Sequence, residues 1–293
     1  MPASPVAIRP VLWFLVLTFA LNWGLVGLFL AAGGAWNTPA ALVVSLSYML
    51  VPALVALGVQ RWVVKAPIRE LGLVWRWNRA VVASWLLPVG LAIAALGVAL
   101  LLPGVVYSPG MEGMFARFEG SVTPEQAAEM RRQAAALPFH PFFLALIQGL
   151  FAGLTVNAVF ALGEELGWRG FLHKALSPLG FWKSAGLIGV IWGIWHAPLI
   201  LQGHNYPQHP VAGVFLMVLF TLGISPLIQH LRERAETVFA AAIFHGTLNA
   251  SYGLSIMLIA GGNDLLIGMS GLAGLVTLAL ANVGLFAWRR RQA

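Results

Sequence analysis

VLWFLVLTFALNWGLVGLFLAA, residues 11–32, contains no charged side chain. About 20 consecutive apolar residues are enough to cross the hydrocarbon core of a bilayer as an α-helix. The stretch has no small-residue cleavage site, so it predicts a retained membrane helix rather than a signal peptide. Seven more stretches of this kind follow, at 40–60, 80–102, 141–163, 183–201, 211–229, 237–258 and 265–288. The predicted fold class is all-α, a polytopic membrane bundle of about eight transmembrane helices.

The composition supports this prediction. Hydrophobic residues make up 59% of the 293 residues and charged residues only 9%, whereas a soluble domain carries about 25% charged residues. The composition therefore excludes a soluble globular protein, a disordered chain and a nucleic-acid reader with dense basic clusters. Membrane lipids are expected partners, and nucleic acid is not. Because the sequence has no cysteine, it also excludes a disulfide framework, a thiolate nucleophile and a cysteine-ligated metal.

The distribution of basic residues predicts the orientation in the membrane. Lysine and arginine collect in the cytoplasmic loops of membrane proteins. With eight spans and a cytoplasmic N-terminus, all but three of the 17 lysine and arginine residues lie on the cytoplasmic side. The exceptions are Arg117, Arg131 and Arg132. We therefore expect a multi-pass protein of the cytoplasmic membrane with both termini in the cytoplasm.

The long outside loop, 103–140, is expected to contain a short helix at the membrane surface. Thr123 supplies an N-cap, Pro124 suits the first helical position and Gln126 completes a capping box. The glutamates of this loop are Glu112, Glu119, Glu125 and Glu129. The loop acts either as a lid over a substrate or as a solvated connector, and the sequence leaves both interpretations open.

Charged residues near the end of the fourth span indicate a functional site, because an ionisable group inside a membrane costs about 2.5–3.5 kcal/mol. Residues 163–170 have the sequence GEELGWRG. Glu165 and Arg169 are four residues apart, so they share a helix face and can pair. Glu164 is rotated by about 100° and is not neutralised by that pair. An unpaired carboxylate in an apolar wall is suited to act as a general base, and a charge cluster that anchors a helix end is the alternative.

Two histidine motifs, WGIWH and HGTLN, occur on later spans. The first places His196 in the fifth span, with Trp192 one turn away on the same face. The second places His245 and Asn249 on one face of the seventh span. A lone membrane histidine is usually a packing residue. Two histidines, an asparagine and a glutamate pair on three helices can instead line one polar cavity, where they offer acid–base groups and donors for an oxyanion.

In this order on successive helices, the motifs Glu-Glu-x-x-x-Arg, aromatic-x-x-x-His and His-x-x-x-Asn resemble those of the CPBP family of intramembrane proteases. That family contains the type II CAAX prenyl endopeptidases and Abi-like bacterial proteins linked to bacteriocin processing or self-immunity. The resemblance extends from Gly163 to Asn249. One departure is Trp192, since the family often has phenylalanine at this position.

The resemblance implies a role for each matching residue. Glu164 is the base that activates a water molecule, assisted by His196, while His245 and Asn249 hold this water or stabilise the oxyanion. The supporting residues are Glu165, Arg169 and Trp192. The chain is then an intramembrane peptidase of the glutamate type that needs no metal. If a divalent metal such as zinc is present, its ligands are Glu164, His196, His245 and Asn249, although the chain lacks the common His-Glu-x-x-His zinc spacing.

The predicted unit is a single membrane-embedded domain, 1–293, with the catalytic helices at 141–258. We expect it to hydrolyse a peptide bond at or within the bilayer, including CAAX-type processing of prenylated or membrane-associated peptides and lipidated proteins. Since Glu164 falls at the inner end of the fourth predicted span, the cavity is expected to open toward the cytoplasm.

A membrane transporter is the main alternative function, because buried polar groups also suit a solute path. Asn22, Asn157 and Gln202 would add to such a path, although no inverted repeat supports it. A scaffold or immunity protein that keeps the site and acts by binding also remains open. Two further patterns are set aside. Ser270 lies in a rhomboid-like Gly-x-Ser-Gly with no histidine after it, and His204 is expected to be solvated in a surface loop.

Overall fold

The structure is a computed structural model that describes residues 6–36, 38–118 and 123–292. Glu119, one of the glutamates of the outside loop, lies outside the described residues. The predicted all-α fold class is confirmed, since helices dominate and two short strands form the only pair in the described part of the chain. The α-helices are α1 (Ile8–Ala31), α2 (Pro39–Gly58), α3 (Arg79–Ala99), α4 (Glu112–Phe118), α5 (Pro124–Ala136), α6 (Pro141–Leu154), α7 (Val156–Glu165), α8 (His173–Leu176), α9 (Phe181–Trp195), α10 (Ala197–Ile200), α11 (Pro210–Ala235), α12 (Val238–Ser251) and α13 (Leu272–Arg290). The π-helical segments are Val59–Val64 and Leu166–Leu172, the 3₁₀ turns are Ile68–Leu71, Ser177–Leu179 and Tyr252–Ser255, and the strands are β1 (Val106–Tyr107) and β2 (Ile259–Ala260).

Five helices among the described residues are long and apolar enough to cross a membrane. They are α1, α2 with its π-helical continuation, α3, α11 and α13. A sixth candidate is the pair α5 and α6, which is bent by 93° at the junction. Large apolar side chains point outward from these helices, and Leu28 of α1 is 74% exposed. Because contact of such side chains with water is unfavourable, this surface is suited to lipid.

The other three predicted spans, 141–163, 183–201 and 237–258, are interrupted. Thr155 separates α6 from α7, His196 separates α9 from α10, and α12 passes into a 3₁₀ turn. The count of eight spans therefore stays a prediction. Irregular backbone is tolerated at membrane depth where protein covers it. The interrupted helix α12 meets this condition, since it packs against α3, α6, α7 and α11 and is buried over most of its length.

Ion pairs join the loops at one end of the bundle. They are Lys174 with Glu70, Arg76 with Glu236 at 2.9 Å and Arg289 with Glu233 at 3.3 Å. All of these residues come from segments that the basic-residue distribution assigns to the cytoplasm. The structure thus gathers the predicted cytoplasmic loops at the same end, while the orientation of the termini stays a prediction.

The opposite end is built from the loops around β1 and β2, which pair antiparallel, and from the segment 201–209. Asp264 ties these loops together, because its carboxylate accepts hydrogen bonds from the backbone nitrogen of Gln208 at 2.7 Å and from His209 Nδ1 at 2.6 Å. The helix predicted after Thr123 is confirmed as α5, and both hydrogen bonds of its capping box are present.

Helix α9 packs closely against α11 at a glycine. A Cβ atom at Gly189 would lie 2.7 Å from the Cα atom of Leu222, well inside contact distance. Gly186, one turn earlier, has more room, because a Cβ atom there would meet only the Leu222 side chain at 3.7 Å. Since His196 directly follows α9, the close approach at Gly189 determines where that histidine lies.

We expect Gly189→Ala to lower the stability of the protein and Gly186→Ala to leave it unchanged. At Gly189 the added methyl group overlaps backbone atoms, and overpacking of this kind costs about 1–3 kcal/mol. At Gly186 the same group reaches ordinary contact distance, and alanine favours the helix. Thermal unfolding of both variants in the same detergent measures the difference. Equal melting temperatures would contradict the close packing of α9 on α11.

Candidate active site

Glu164 and Glu165 end α7, but the helical path continues beyond them. It runs through the π-helical segment Leu166–Leu172 into α8. The expectation that Glu164 sits at the inner end of a span is therefore wrong. A Cβ atom at Gly163 would lie 2.6 Å from the carbonyl oxygen of Met49, which is in the middle part of α2. The two carboxylates thus lie at the depth of the middle of a membrane-spanning helix.

Glu165 and Arg169 form a buried ion pair, as their spacing predicts. Arg169 Nη1 donates to Glu165 Oε1 at 2.9 Å and to Oε2 at 3.1 Å, and neither side chain has exposed surface. Arg169 Nη2 donates to the Ser225 hydroxyl in α11 at 2.9 Å. His245 in α12 donates from Nδ1 to Glu165 Oε1, also at 2.9 Å. The pair therefore links the α7 region to α11 and α12.

Glu164 is separate from this pair, as predicted, and accepts a different hydrogen bond. Trp192 Nε1 donates to Glu164 Oε2 at 2.8 Å. The Arg169 guanidinium lies over the Trp192 ring, 4.6 Å from its centroid. Trp192 therefore contacts both the candidate base and the ion pair, and the sequence predicted only the aromatic wall. A phenylalanine at this position would provide the aromatic wall but could not donate a hydrogen bond to Glu164.

His196 is oriented by the end of α9. Its Nδ1 donates to the carbonyl oxygen of Trp192 at 2.8 Å, and its ring packs edge-on against Trp195 with 4.8 Å between centroids. Trp195 is held in turn by Asn22, which accepts from the indole nitrogen at 2.9 Å, and by the Tyr48 hydroxyl, which donates to the Trp195 carbonyl at 2.5 Å. Asn22, a candidate for a solute path, is thus a buried structural residue.

A cavity of about 350 Å³ lies between these helices, and we call it the motif cavity. All four predicted catalytic residues line it, namely Glu164, His196, His245 and Asn249. Glu164 and His245 are almost fully buried, whereas Asn249 is exposed. The structure therefore brings the three motifs together from three separate helices. The catalytic role of each residue stays a prediction.

Tyr48 and His204 also line the motif cavity, although the sequence did not indicate either of them as a site residue. A tyrosine inside an apolar span was a signal for Tyr48, whereas His204 was expected to be a solvated loop residue. The lining reaches the segment 201–209, just before α11 begins. Arg232 lies near the other end of α11, whose 26 residues span about 39 Å. The cavity thus extends away from the basic loops, which does not support the expected cytoplasmic opening.

The four motif residues carry donor atoms that divalent metals use, but two of these atoms are hydrogen-bonded within the protein. Within residues 6–36, 38–118 and 123–292, no three histidine, aspartate or glutamate side chains are grouped so that they could hold an ion. His245 Nδ1 is bonded to Glu165, and Glu164 Oε2 is bonded to Trp192. Whether the protein needs a metal is not tested by this arrangement, and metal independence stays a prediction.

The part of the chain that carries these residues is similar to known proteins. A family model described as Type II CAAX prenyl endopeptidase Rce1-like matches residues 138–251, which hold all three motifs. Through these residues, which we call the Rce1-like region, the chain is similar to the Rce1-like family. A curated protein of Methanococcus maripaludis, CAAX prenyl protease 2, is 32% identical to this chain over 94 residues, which is 29% of this chain.

The match covers 34% of the length of that curated relative. Together with the Rce1-like match, it confirms the resemblance to the CPBP proteases. The Rce1-like region and the apolar helices identify a multi-pass membrane protein. The outer bounds of the predicted catalytic unit, 141–258, stay a prediction.

We expect Glu165→Gln to destabilise the Rce1-like region far more than Glu164→Gln. Loss of the Glu165 charge leaves Arg169 buried without its counter-ion, and breaking a buried pair in this way costs about 3–5 kcal/mol. At Glu164 a glutamine still accepts the hydrogen bond from Trp192, and the neighbouring ion pair stays intact. Thermal unfolding in one detergent compares these two adjacent, chemically identical changes. A similar melting temperature for both variants would contradict the structural role of the ion pair.

Proposed function

We propose that the chain is an intramembrane endopeptidase that hydrolyses a peptide bond at or within the bilayer by means of glutamate-activated water. The strongest support is the single cavity that Glu164, His196, His245 and Asn249 line. Peptide hydrolysis needs a base, a proton donor and a donor to the oxyanion, and these side chains supply such groups. The similarity to an archaeal protein named CAAX prenyl protease 2 supports the same class of reaction.

The reaction begins with a water molecule beside Glu164. Because Oε2 of Glu164 accepts a hydrogen bond from Trp192, Oε1 is the oxygen that takes the proton from water. The water oxygen then bonds to the carbonyl carbon of the substrate, and the electron pair of the carbonyl moves to its oxygen. His196 assists through Nε2, since its Nδ1 is engaged by a backbone carbonyl.

The resulting oxyanion is stabilised by two donors on α12. The Asn249 carboxamide donates from one side. His245 donates from Nε2 when its ring carries both protons, because its Nδ1 is bonded to Glu165. Collapse of the intermediate breaks the C–N bond, and the proton held by Glu164 passes to the leaving nitrogen. The products are an amine and a carboxylic acid, which loses its proton to water to give the carboxylate, and Glu164 returns to its ionised form.

The proposed substrate is a peptide or lipidated protein whose scissile bond reaches the depth of the motif cavity. Processing of a prenylated CAAX tail is one reaction of this class, and the name of the archaeal relative favours it. We propose that the interrupted helices α6–α7, α9–α10 and α12 with its following turn complete eight spans. Both termini then lie in the cytoplasm and the protein resides in the cytoplasmic membrane.

We expect Glu164→Gln and His245→Ala each to abolish cleavage of a farnesylated CAAX peptide by the protein in proteoliposomes. A positioned general base contributes about 10²–10⁴-fold to the rate, and glutamine cannot take a proton from water. Mass spectrometry of the released carboxy-terminal tripeptide measures the rate. Glu125→Gln, which makes the same chemical change on the exposed helix α5, is the control and keeps full activity.

Full activity of Glu164→Gln would contradict this mechanism. Tight binding of the peptide by the wild-type protein without any cleavage would instead favour a scaffold or immunity protein that acts by binding. Solute movement across the proteoliposome membrane that depends on Glu164 would favour a transporter.

We also propose that hydrolysis requires no metal, since Glu164, assisted by His196, activates the water. Dialysis of the protein against EDTA is therefore expected to leave the cleavage rate unchanged. The same peptide assay, with and without added Zn²⁺, measures this. Loss of activity on chelation and its recovery with Zn²⁺ would contradict the metal-free mechanism, and would favour Glu164, His196, His245 and Asn249 as ligands.

A further inference from the structure

A second cavity, of about 890 Å³, adjoins the motif cavity at the end of the bundle that holds β1 and β2. We call this second cavity the vestibule. It is formed by α4 and by the segments 205–208 and 252–268. Asn205 and Tyr252 line the vestibule and the motif cavity alike. The two cavities therefore meet at these two side chains.

Ser270 anchors Tyr252 directly, and it anchors Asn205 through the next residue in the chain. Asn205 has a left-handed backbone conformation, with φ of 61°, which asparagine tolerates better than most residues. The next residue, Tyr206, is buried and donates from its hydroxyl to the Ser270 carbonyl at 2.8 Å. The Tyr252 hydroxyl is hydrogen-bonded to the Ser270 hydroxyl. This contact gives Ser270 a structural role, and it fixes the Tyr252 side chain at the boundary between the two cavities.

The charged side chains that line the vestibule, Glu112, Arg117 and Asp264, all have partners, and Glu112 accepts a hydrogen bond from the Ser108 hydroxyl. Arg117 donates to two backbone carbonyl oxygens in the segment 259–261, at 3.1 and 2.9 Å. Asp264 accepts from the backbone and side chain of the segment 208–209. What the vestibule presents to a ligand is therefore mainly apolar side chains, such as Met114 and Ile256, and the backbone groups of its lining glycines. This lining suits a polypeptide segment better than a small ion.

We propose that the vestibule binds the polypeptide segment that adjoins the scissile bond, and that this segment runs alongside Asn205 and Tyr252 into the motif cavity. The inference rests on the proposed peptidase function. The motif cavity, at about 350 Å³, is near the lower end of the range of about 300–1,000 Å³ for ligand pockets. It therefore accommodates only the residues next to the scissile bond. The rest of the chain needs a second binding site. An extended chain advances about 3.3 Å per residue, so a few residues bridge the two cavities.

The absence of cysteine from the sequence makes a single introduced cysteine a unique chemical handle. Ala116→Cys places it on α4 in the vestibule. Leu101→Cys is the matched control, because Leu101 lies at the same end of the bundle, is 82% exposed and is not part of either lining. Each cysteine is introduced separately, into a protein that also carries Glu164→Gln, so that substrate binds without being cleaved. The probes are farnesylated CAAX peptides that carry a pyridyl disulfide at successive positions before the farnesylated cysteine.

We expect disulfide formation at Ala116→Cys to exceed that at Leu101→Cys at least about tenfold for one probe position, because a bound probe reaches an effective concentration in the millimolar range. An excess of unlabelled peptide removes this difference. With Glu164 restored, labelling Ala116→Cys with a bulky maleimide lowers peptide cleavage, whereas the same label on Leu101→Cys does not.

Equal cross-linking at both positions would overturn the proposal for the vestibule, even if the wild-type protein cleaves the peptide. Selective cross-linking at Ala116→Cys, together with no cleavage by the wild-type protein, would overturn the peptidase proposal and support the vestibule as a peptide-binding site. The two failures are therefore distinguishable.

Discussion

The buried ion pair between Glu165 and Arg169 is the interaction on which the arrangement of the site depends. Ionised side chains at membrane depth persist only where they are paired and hydrogen-bonded. Here the requirement is met by three parts of the chain, since Ser225 of α11 and His245 of α12 complete the bonding of the pair. A shift of either helix would leave a buried polar group without a partner. The ion pair thereby holds the elements that line the motif cavity in one relative position.

The division of the bundle into long outer helices and shorter inner ones follows from the same constraint. Lipid-facing helices such as α1 and α13 need an unbroken ladder of backbone hydrogen bonds, because lipid offers no partner for a free amide or carbonyl. The motif-bearing helices α7, α9 and α12 are covered by protein along much of their length. They can therefore end early, or pass into a π-helical segment, inside the bundle. Because of these interruptions, the polar side chains of three helices face one shared cavity.

Spacing rules predicted the parts of the site that depend on one helix. The pairing of Glu165 with Arg169 and the separation of Glu164 from that pair both follow from helical periodicity. Helical periodicity does not predict hydrogen bonds between helices. The Trp192–Glu164 and His245–Glu165 hydrogen bonds were therefore not predicted from the sequence. The depth of Glu164 was misjudged for another reason. A hydropathy pattern ends the span at the first charged residues, whereas the structure continues the helix because Arg169 is neutralised inside the bundle.

The adjacent carboxylates Glu164 and Glu165 acquire different roles from the charge of their partners. Glu165 is hydrogen-bonded to Arg169 and His245 and positions both of these neighbours. Glu164 is bonded to the neutral indole of Trp192, which orients the carboxylate without adding a positive charge that would weaken it as a base. The indole nitrogen donates a hydrogen bond to one carboxylate oxygen, so the other oxygen is available to accept a proton from water in the proposed mechanism. A phenylalanine at this position would supply no such donor, and another group would then have to orient the carboxylate. The residue one turn before His196 therefore decides which oxygen of the proposed base faces the water.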